Sequence, residues 1–388
     1  MEEIMKKIKV MSIFGTRPEA IKMAPLINKL GEEKKVESIV VVTAQHREML
    51  DQIVDLFAIK VDYDLDIMTP GQSLSDISAK ILIDLEQVLI TEKPDLILVH
   101  GDTTTSFIAA LAAFYHKIKI AHIEAGLRSY NKYSPYPEEI NRSLTGVLAD
   151  IHFTPTINNK ENLLTENISE GDIFVTGNTV IDALLEVIEE DYSFEEDILN
   201  RIDFKNKKII LLTAHRRENL GEKMAEIFSA IKELVFENSS IEVVFPVHLN
   251  PKVRKLAQKI LGDLKGVYLI DPLNYGDFVN LMARVYLIMT DSGGIQEEAP
   301  TLGKPVLVLR EVTERLEALV AGTIKLVGTD KEKIISAVSK LIIDSAEYNR
   351  MINKNNPYGD GKASLRICDY ILHCYRLKNV KKEEFSYN

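Results

Sequence analysis

Residues 118–142 read IKIAHIEAGLRSYNKYSPYPEEINR. The run Ile118–Ile123 has the apolar character of a strand buried on both faces, and the polar loop after it leads into a helix starting near Glu138. Between 122 and 142 lie three carboxylates, two arginines and two prolines that stiffen the turn. Open α/β sheets build their sites on loops at the carboxyl ends of strands. Acids crowded there work as proton donors and acceptors when burial and neighbouring charge separate their pKa values. The stretch predicts an α/β enzyme.

The same pattern extends in both directions. Strand-like runs occur at Ile8–Phe14, Ser38–Thr43, Leu96–His100, Ile118–Ile123, Ile151–Thr154 and Ile173–Thr176. A second series occupies Ile209–Thr213, Ile241–Val247, Val267–Ile270, Leu287–Thr290, Pro305–Leu309 and Ile324–Val327. Segments of helical period separate them, among them Glu19–Leu30, Leu74–Ile90, Thr104–His116, Met224–Glu237 and Lys331–Ile343. Apolar strands alternating with helices imply parallel sheets covered on both faces, and two series imply two doubly wound domains in tandem. We expect a first domain over 1–175 and a second over 176–363. A C-terminal helix, within about 364–388, should pack back on the first. The acidic stretch Glu189–Asn206 reads as a connector.

Composition agrees. With 388 residues the chain is long for one core, and 46% hydrophobic and 27% charged content is that of a globular protein. The net charge of -11 and the absence of a basic stripe argue against a nucleic-acid partner. Cys368 and Cys374 show neither metal spacing nor a disulfide framework. No signal-peptide core and no membrane-spanning run is present, so we expect a cytoplasmic enzyme.

Several loops could carry chemistry. After the first strand, Gly15 permits a tight turn, Pro18 suits a first helical turn, and Arg17 and Lys22 could reach an anion. The spaced glycines of a dinucleotide fingerprint and the P-loop pattern are both missing. Asp102, between strand and helix, reads by itself as a helix cap. Glu138 and Glu139 fall in a first helical turn, where acids suit the dipole. Glu124 directly follows an apolar strand, where burial would raise its pKa. His122-Ile-Glu124 resembles half of a zinc deaminase signature, but the paired cysteines are absent, so no metal is expected. His215 stands beside Arg216 and Arg217, whose like charge would hold it neutral for proton exchange. Ser292-Gly293-Gly294 would let backbone N–H groups approach a phosphate, and Glu298, about one turn on, could accept from ribose hydroxyls.

Nine segments in order resemble the non-hydrolysing UDP-N-acetylglucosamine 2-epimerases: GTRPEAIK (15–22), TAQHREMLDQ (43–52), HGDTTT (100–105), HIEAGLR (122–128), YSPYPEEINR (133–142), TGNTVIDAL (176–184), TAHRRENLG (213–221), PVHLNP (246–251) and TDSGGIQEEAP (290–300). The resemblance implies two Rossmann-like domains of the glycosyltransferase-B type, with the active site in the interdomain cleft. The implied reaction interconverts UDP-GlcNAc and UDP-ManNAc at C2. UDP is eliminated to give 2-acetamidoglucal and then re-added, without metal or cofactor. The product would supply ManNAc units for surface polysaccharide, and a homodimer is implied. Asp102, Glu124, Glu138 and His215 match the catalytic residues. Arg17, Lys22, Phe278, Ser292, Gly293, Gly294, Glu298 and Arg315 match substrate contacts.

Gln45, Arg216 and His248 match an activator site that takes a second UDP-GlcNAc in bacterial relatives. Glu48 and Gly71 stand where some of those relatives carry glutamine and arginine, which argues against activation here. Leu316 follows Thr313-Glu314-Arg315 where the family usually has proline. A hydrolysing epimerase, a glycosyltransferase of the same fold and an inactive nucleotide-sugar sensor are the competing readings. Neither a transferase nor a sensor has reason to keep all four catalytic groups.

Overall fold

Each strand-like run becomes a strand, and the order in which the strands pair fixes where the functional loops gather. The computed structural model describes residues 7–44, 47–69, 71–379 and 383–387, with only the backbone at 47 and 48. The chain forms two compact units. One reaches Glu186 and takes back the segment from Gly359; the other runs Val187–Tyr358.

In the first unit, β1 (Ile8–Phe14), β2 (Val36–Val42), β3 (Tyr63–Asp64), β4 (Leu96–His100), β5 (Lys119–Ile123), β6 (Ile151–Thr154) and β7 (Ile173–Val175) pair in the order β3-β2-β1-β4-β5-β6-β7. All these pairs are parallel. In the second, β8 (Lys208–Thr213), β9 (Ile241–Pro246), β10 (Val267–Ile270), β11 (Leu287–Thr290), β12 (Val306–Val308) and β13 (Ile324–Leu326) pair, again in parallel, as β10-β9-β8-β11-β12-β13. The strand that sequence periodicity misses is β3. Its two residues, one of them an aspartate, are too few for any pattern.

The chain thus winds outward from β1, returns to β1's other side at β4, and repeats the manoeuvre at β8 and β11. Each reversal is a topological switch point, where the loops at the carboxyl ends part and leave a crevice. Alternate residues Met11 and Ile13 of β1, with Ile97 and Val99 of β4, face a helix (Thr104–Tyr115) whose Ala109, Ala110 and Ala113 let it approach the sheet closely. The second unit repeats this packing with larger side chains: Leu212, Phe245 and Met289 lie against Ile227, Phe228 and Ile231. The helix Ala363–Cys374 packs on the helix Arg17–Glu32, anchored where Asp182 accepts from the Ser364 N–H at 2.7 Å. The acidic segment after Glu186 docks on the second unit: Glu189 N–H donates to Asn280 at 2.9 Å and Tyr192 OH to Asp277 at 2.9 Å.

Three histidines sit buried on neighbouring strands. His122 and His152 are register partners on β5 and β6, and His100 ends β4. Burial drives their pKa values down, to about 4 for His100, about 3 for His122 and about 4 for His152. All three are therefore neutral in the native state. His122 uses its Nε2–H on the Gly101 carbonyl, 2.7 Å away, while its Nδ1 and that of His152 have no partner among the described residues.

The unfolded chain takes up protons near pH 6.5 and the native one only at lower pH, so stability is full above about 6.5 and declines as pH falls toward 4. Thermal unfolding followed between pH 8 and 4.5 should show the midpoint dropping through this window. His152→Leu should flatten the slope; an unchanged slope would remove His152 as a contributor.

Candidate active site

The loop after β1 is tied to the loop after β4 by one buried carboxylate. Thr16 caps the helix Arg17–Glu32, and Glu19, three residues on, accepts from the Gly15 and Thr16 N–H groups at 3.1 and 2.8 Å. Its other oxygen accepts from the Thr103 and Ser106 hydroxyls at 2.6 and 2.9 Å. Gly15 is required by this closeness, because a Cβ there would press on the hydroxyls of Thr43 and Thr105. Thr103, not Asp102, caps the helix that follows, accepting from Ser106 N–H at 3.0 Å. Asp102 is thereby released from the capping role its position suggests. Its carboxylate pairs with Arg142, and its carbonyl accepts from Asn141 Nδ2 at 3.0 Å.

Glu124 is the first residue after β5 and adopts a left-handed φ of 59°. A non-glycine residue there is strained, a cost typically carried where a side chain must be aimed. Its carboxylate lies over Gly101, where a Cβ would sit 3.6 Å from Oε1. It pairs with Lys22, accepts from Asn178 Nδ2 at 2.8 Å, and lies 3.9 Å from His100 Nε2. Burial alone would raise the Glu124 pKa, as its sequence position suggests. The structure reverses that expectation: the Lys22 ammonium and the surrounding donors outweigh burial and hold the carboxyl well below its usual range. Asp102 goes the other way. Burial and the nearby Glu124 charge raise it, against the pull of Arg142. Two neighbouring carboxylates are thus separated in acidity by their surroundings.

Both glutamates of Glu138–Glu139 open the helix Glu138–Leu148. The Glu138 side chain is half-buried and forms no hydrogen bond or ion pair among the described residues. Glu139 does more than suit the helix dipole. It is buried, accepts from the Ser129 and Tyr130 N–H groups at 2.9 and 2.8 Å, and pairs with Arg142 at 3.3 Å. Arg142 therefore joins the Asp102 carboxylate to the acid that shapes the 129–137 loop.

In the second unit the reversal at β8 and β11 gathers its own set. Asp291, fully buried after β11, accepts from the backbone N–H groups of His215 and Arg216, each at 2.9 Å, and stands 3.2 Å from His215 Nδ1. A buried acid thus faces the imidazole at 3.2 Å, a partner remote from it in sequence. Arg216 turns its Nε onto the Asp291 carbonyl, 3.2 Å away. His248 stacks on His215 at 5.5 Å between centroids, and Gln45 lies outside the described residues.

Ser292 caps the helix Gly293–Glu298, and the Arg315 guanidinium packs so closely over Gly293 that a Cβ would lie 2.9 Å from its carbon. Arg315 donates to Glu297 at 2.8 Å. Glu298 folds back on Gly294, and Phe278 is half-buried on the helix Tyr275–Arg284. Leu316 is the first residue of the helix Leu316–Ala321, a position proline also tolerates, so the departure there is absorbed. Gly71 takes a φ of 80°, which an arginine would adopt only with strain.

The structure thus brings Lys22, Asp102 and Glu124 together in one unit, and His215, Arg216 and His248 in the other. Gly293 and Arg315 also meet in the second unit. Arg17 is half-buried at the first helical position, and Glu138 is half-buried where its own helix begins. Residues missed in sequence are Glu19, Arg142, Asn178 and Asp291. Thr16-x-x-Glu19 is a readable capping box, and Glu139 and Arg142 have ion-pair spacing on a helix. Nothing local marks Asn178.

Two Rossmann-like units with titratable groups and cations at their switch points define a doubly wound α/β enzyme. The profile of the UDP-N-acetylglucosamine 2-epimerase family matches residues 28–372. The Bacillus subtilis UDP-N-acetylglucosamine 2-epimerase is 53% identical over 98% of this chain and 100% of its own. A crystal structure from Listeria monocytogenes superposes with TM-score 0.93 at 51% identity, covering 98% of this chain and 100% of that one. The Neisseria meningitidis UDP-GlcNAc 2-epimerase, solved bound to UDP-GlcNAc, gives TM-score 0.83 at 52% identity over 94% and 100%. The chain belongs to the non-hydrolysing UDP-N-acetylglucosamine 2-epimerase family.

Replacing Arg142 by Met leaves Asp102 and Glu139 without their shared cation. We expect a loss of about 3 kcal/mol in unfolding free energy, read by urea denaturation. A change below about 0.5 kcal/mol would mean the pair is stabilised by other groups.

Proposed function

We propose that the protein interconverts UDP-GlcNAc and UDP-ManNAc, eliminating UDP to 2-acetamidoglucal and returning it after the C2 proton has changed faces. The separated acidities of Asp102 and Glu124 carry this reading. The C2–H is not acidic and no carbonyl stabilises a carbanion beside it. Loss of the proton must therefore be coupled to departure of the diphosphate, with a base on carbon and cations on the leaving group.

Glu124, kept ionised by Lys22, suits the base. Asp102, with its raised pKa, suits the return of a proton on the other face, and Glu138 completes the acidic set. His215 serves proton transfer at the leaving group. Arg17, Lys22, Arg315 and the Ser292–Gly294 turn take the diphosphate, Glu298 the ribose and Phe278 the uracil. The ligand carried by the Neisseria relative supports the substrate. The elimination and re-addition change no oxidation state overall, so the cycle needs no oxidant. The same reading makes the enzyme cytoplasmic and its product a precursor of surface polysaccharide.

Incubation with UDP-GlcNAc in D2O tests it. We expect UDP-ManNAc with deuterium at C2; free ManNAc would indicate hydrolysis, and unchanged substrate would sink the proposal. Glu124→Gln should lower turnover by about 10³-fold with UDP binding nearly intact. An equal loss of binding would make Glu124 structural.

A homodimer belongs to the same proposal. It is supported by exposed apolar side chains on three successively packed helices of the first unit: Ile83, Ile90, Phe114, Tyr115 and Val147. Light scattering should give twice the chain mass, and Val147→Glu should shift the population toward monomer; a monomeric parent protein would refute it.

A further inference from the structure

We infer that Asp291 is the positioning residue that fixes the tautomer of His215, leaving Nε2 as its reactive atom. The inference rests on the proposed role of His215 in proton transfer. Asp291 has no exposed surface, whereas the His215 side chain is 38% exposed, so the pair runs from the interior toward the open face.

The two carboxylate oxygens have different duties. Oδ2 accepts from the backbone N–H groups of His215 and Arg216, both at 2.9 Å, and from Asn219 Nδ2 at 3.1 Å. Oδ1 takes only the longer arm of the His215 N–H, at 3.2 Å, and stands 3.2 Å from the imidazole Nδ1. A buried ionised carboxylate can only accept, so Nδ1 carries the hydrogen and Nε2 is left with a lone pair.

The frame holding this geometry is rigid. Asp291 N–H donates to the Thr213 carbonyl at 3.2 Å, the Thr213 and Thr290 hydroxyls share a bond of 2.6 Å, and Asn219 also donates to the Leu309 carbonyl at 3.1 Å. His248, stacked at 13° to the ring, limits its rotation.

The consequence for the reaction is specific. Nε2 gives its proton to the diphosphate as the C1–O bond breaks, which leaves the Nδ1–H tautomer held by the buried Asp291 charge, and Nε2 takes the same proton back when UDP is re-added. The family resemblance marks His215 without saying which nitrogen acts.

Asp291→Asn separates positioning from structure. Three donors converge on the Oδ2 position, so the amide keeps its oxygen there and turns its NH2 toward Nδ1. That group donates, which forces the hydrogen onto Nε2. Nitrogen-15 NMR of His215 at neutral pH should show the Nδ1–H tautomer in the parent protein and Nε2–H in Asp291→Asn. Retention of the Nδ1–H tautomer in the variant would overturn the inference.

Turnover should fall by about 10²- to 10⁴-fold with KM changed by less than about threefold. In a His215→Gln background, where misfolding of the first variant can be judged separately, adding Asp291→Asn should cost less than about threefold more. An equal cost in both backgrounds would mean Asp291 only supports the loop, overturning the inference. If the tautomer inverts while turnover holds, the assignment of His215 to proton transfer fails instead.

Discussion

The reversal of strand order beside β1 and again beside β8 is the constraint on which the molecule depends. Parallel strands joined by helices must wind to one side and then return, and at the return two adjacent strand ends send their loops to opposite faces. Backbone groups and side chains in that gap come close to one another. In the first unit the gap draws in the helix carrying Lys22 and the loop carrying Asp102; in the second it draws in His215 and Asp291. Each pair is far apart in sequence, and the sheet register alone makes them neighbours.

Charge then differentiates what topology has gathered. Two carboxylates left in one buried place would both resist ionisation. Here Lys22 is committed to Glu124 and Arg142 to Asp102, and the balance with burial differs between them, so one is pulled down and the other pushed up. The strained backbone at Glu124 and the donor from Asn178 hold the first arrangement. The Glu139–Arg142 bridge holds the second. In the other unit Asp291 gives His215 an orientation that neighbouring arginines could not. Buried polar networks of this kind specify one geometry because an unpaired member is costly.

Much of this was legible in the chain. Twelve strands follow from apolar runs, since burial on both faces leaves a continuous signature, and β3 escaped because two residues cannot carry one. Glu139 reads in sequence as a helix-dipole acid because position alone shows its first-turn setting and not the two loop N–H groups folding onto it. Asp102 was open to reading as a cap because the capping choice between it and Thr103 turns on Arg142, forty residues away.

The sequence by itself determined the fold class, the ordered motifs of the family and the residue types available to the site, because these depend on local periodicity and composition. Tertiary structure alone decided which cation meets which acid, which way each pKa moves, and that His215 answers to Asp291. Those are matters of distance and desolvation between residues remote in the chain, and no local pattern encodes them.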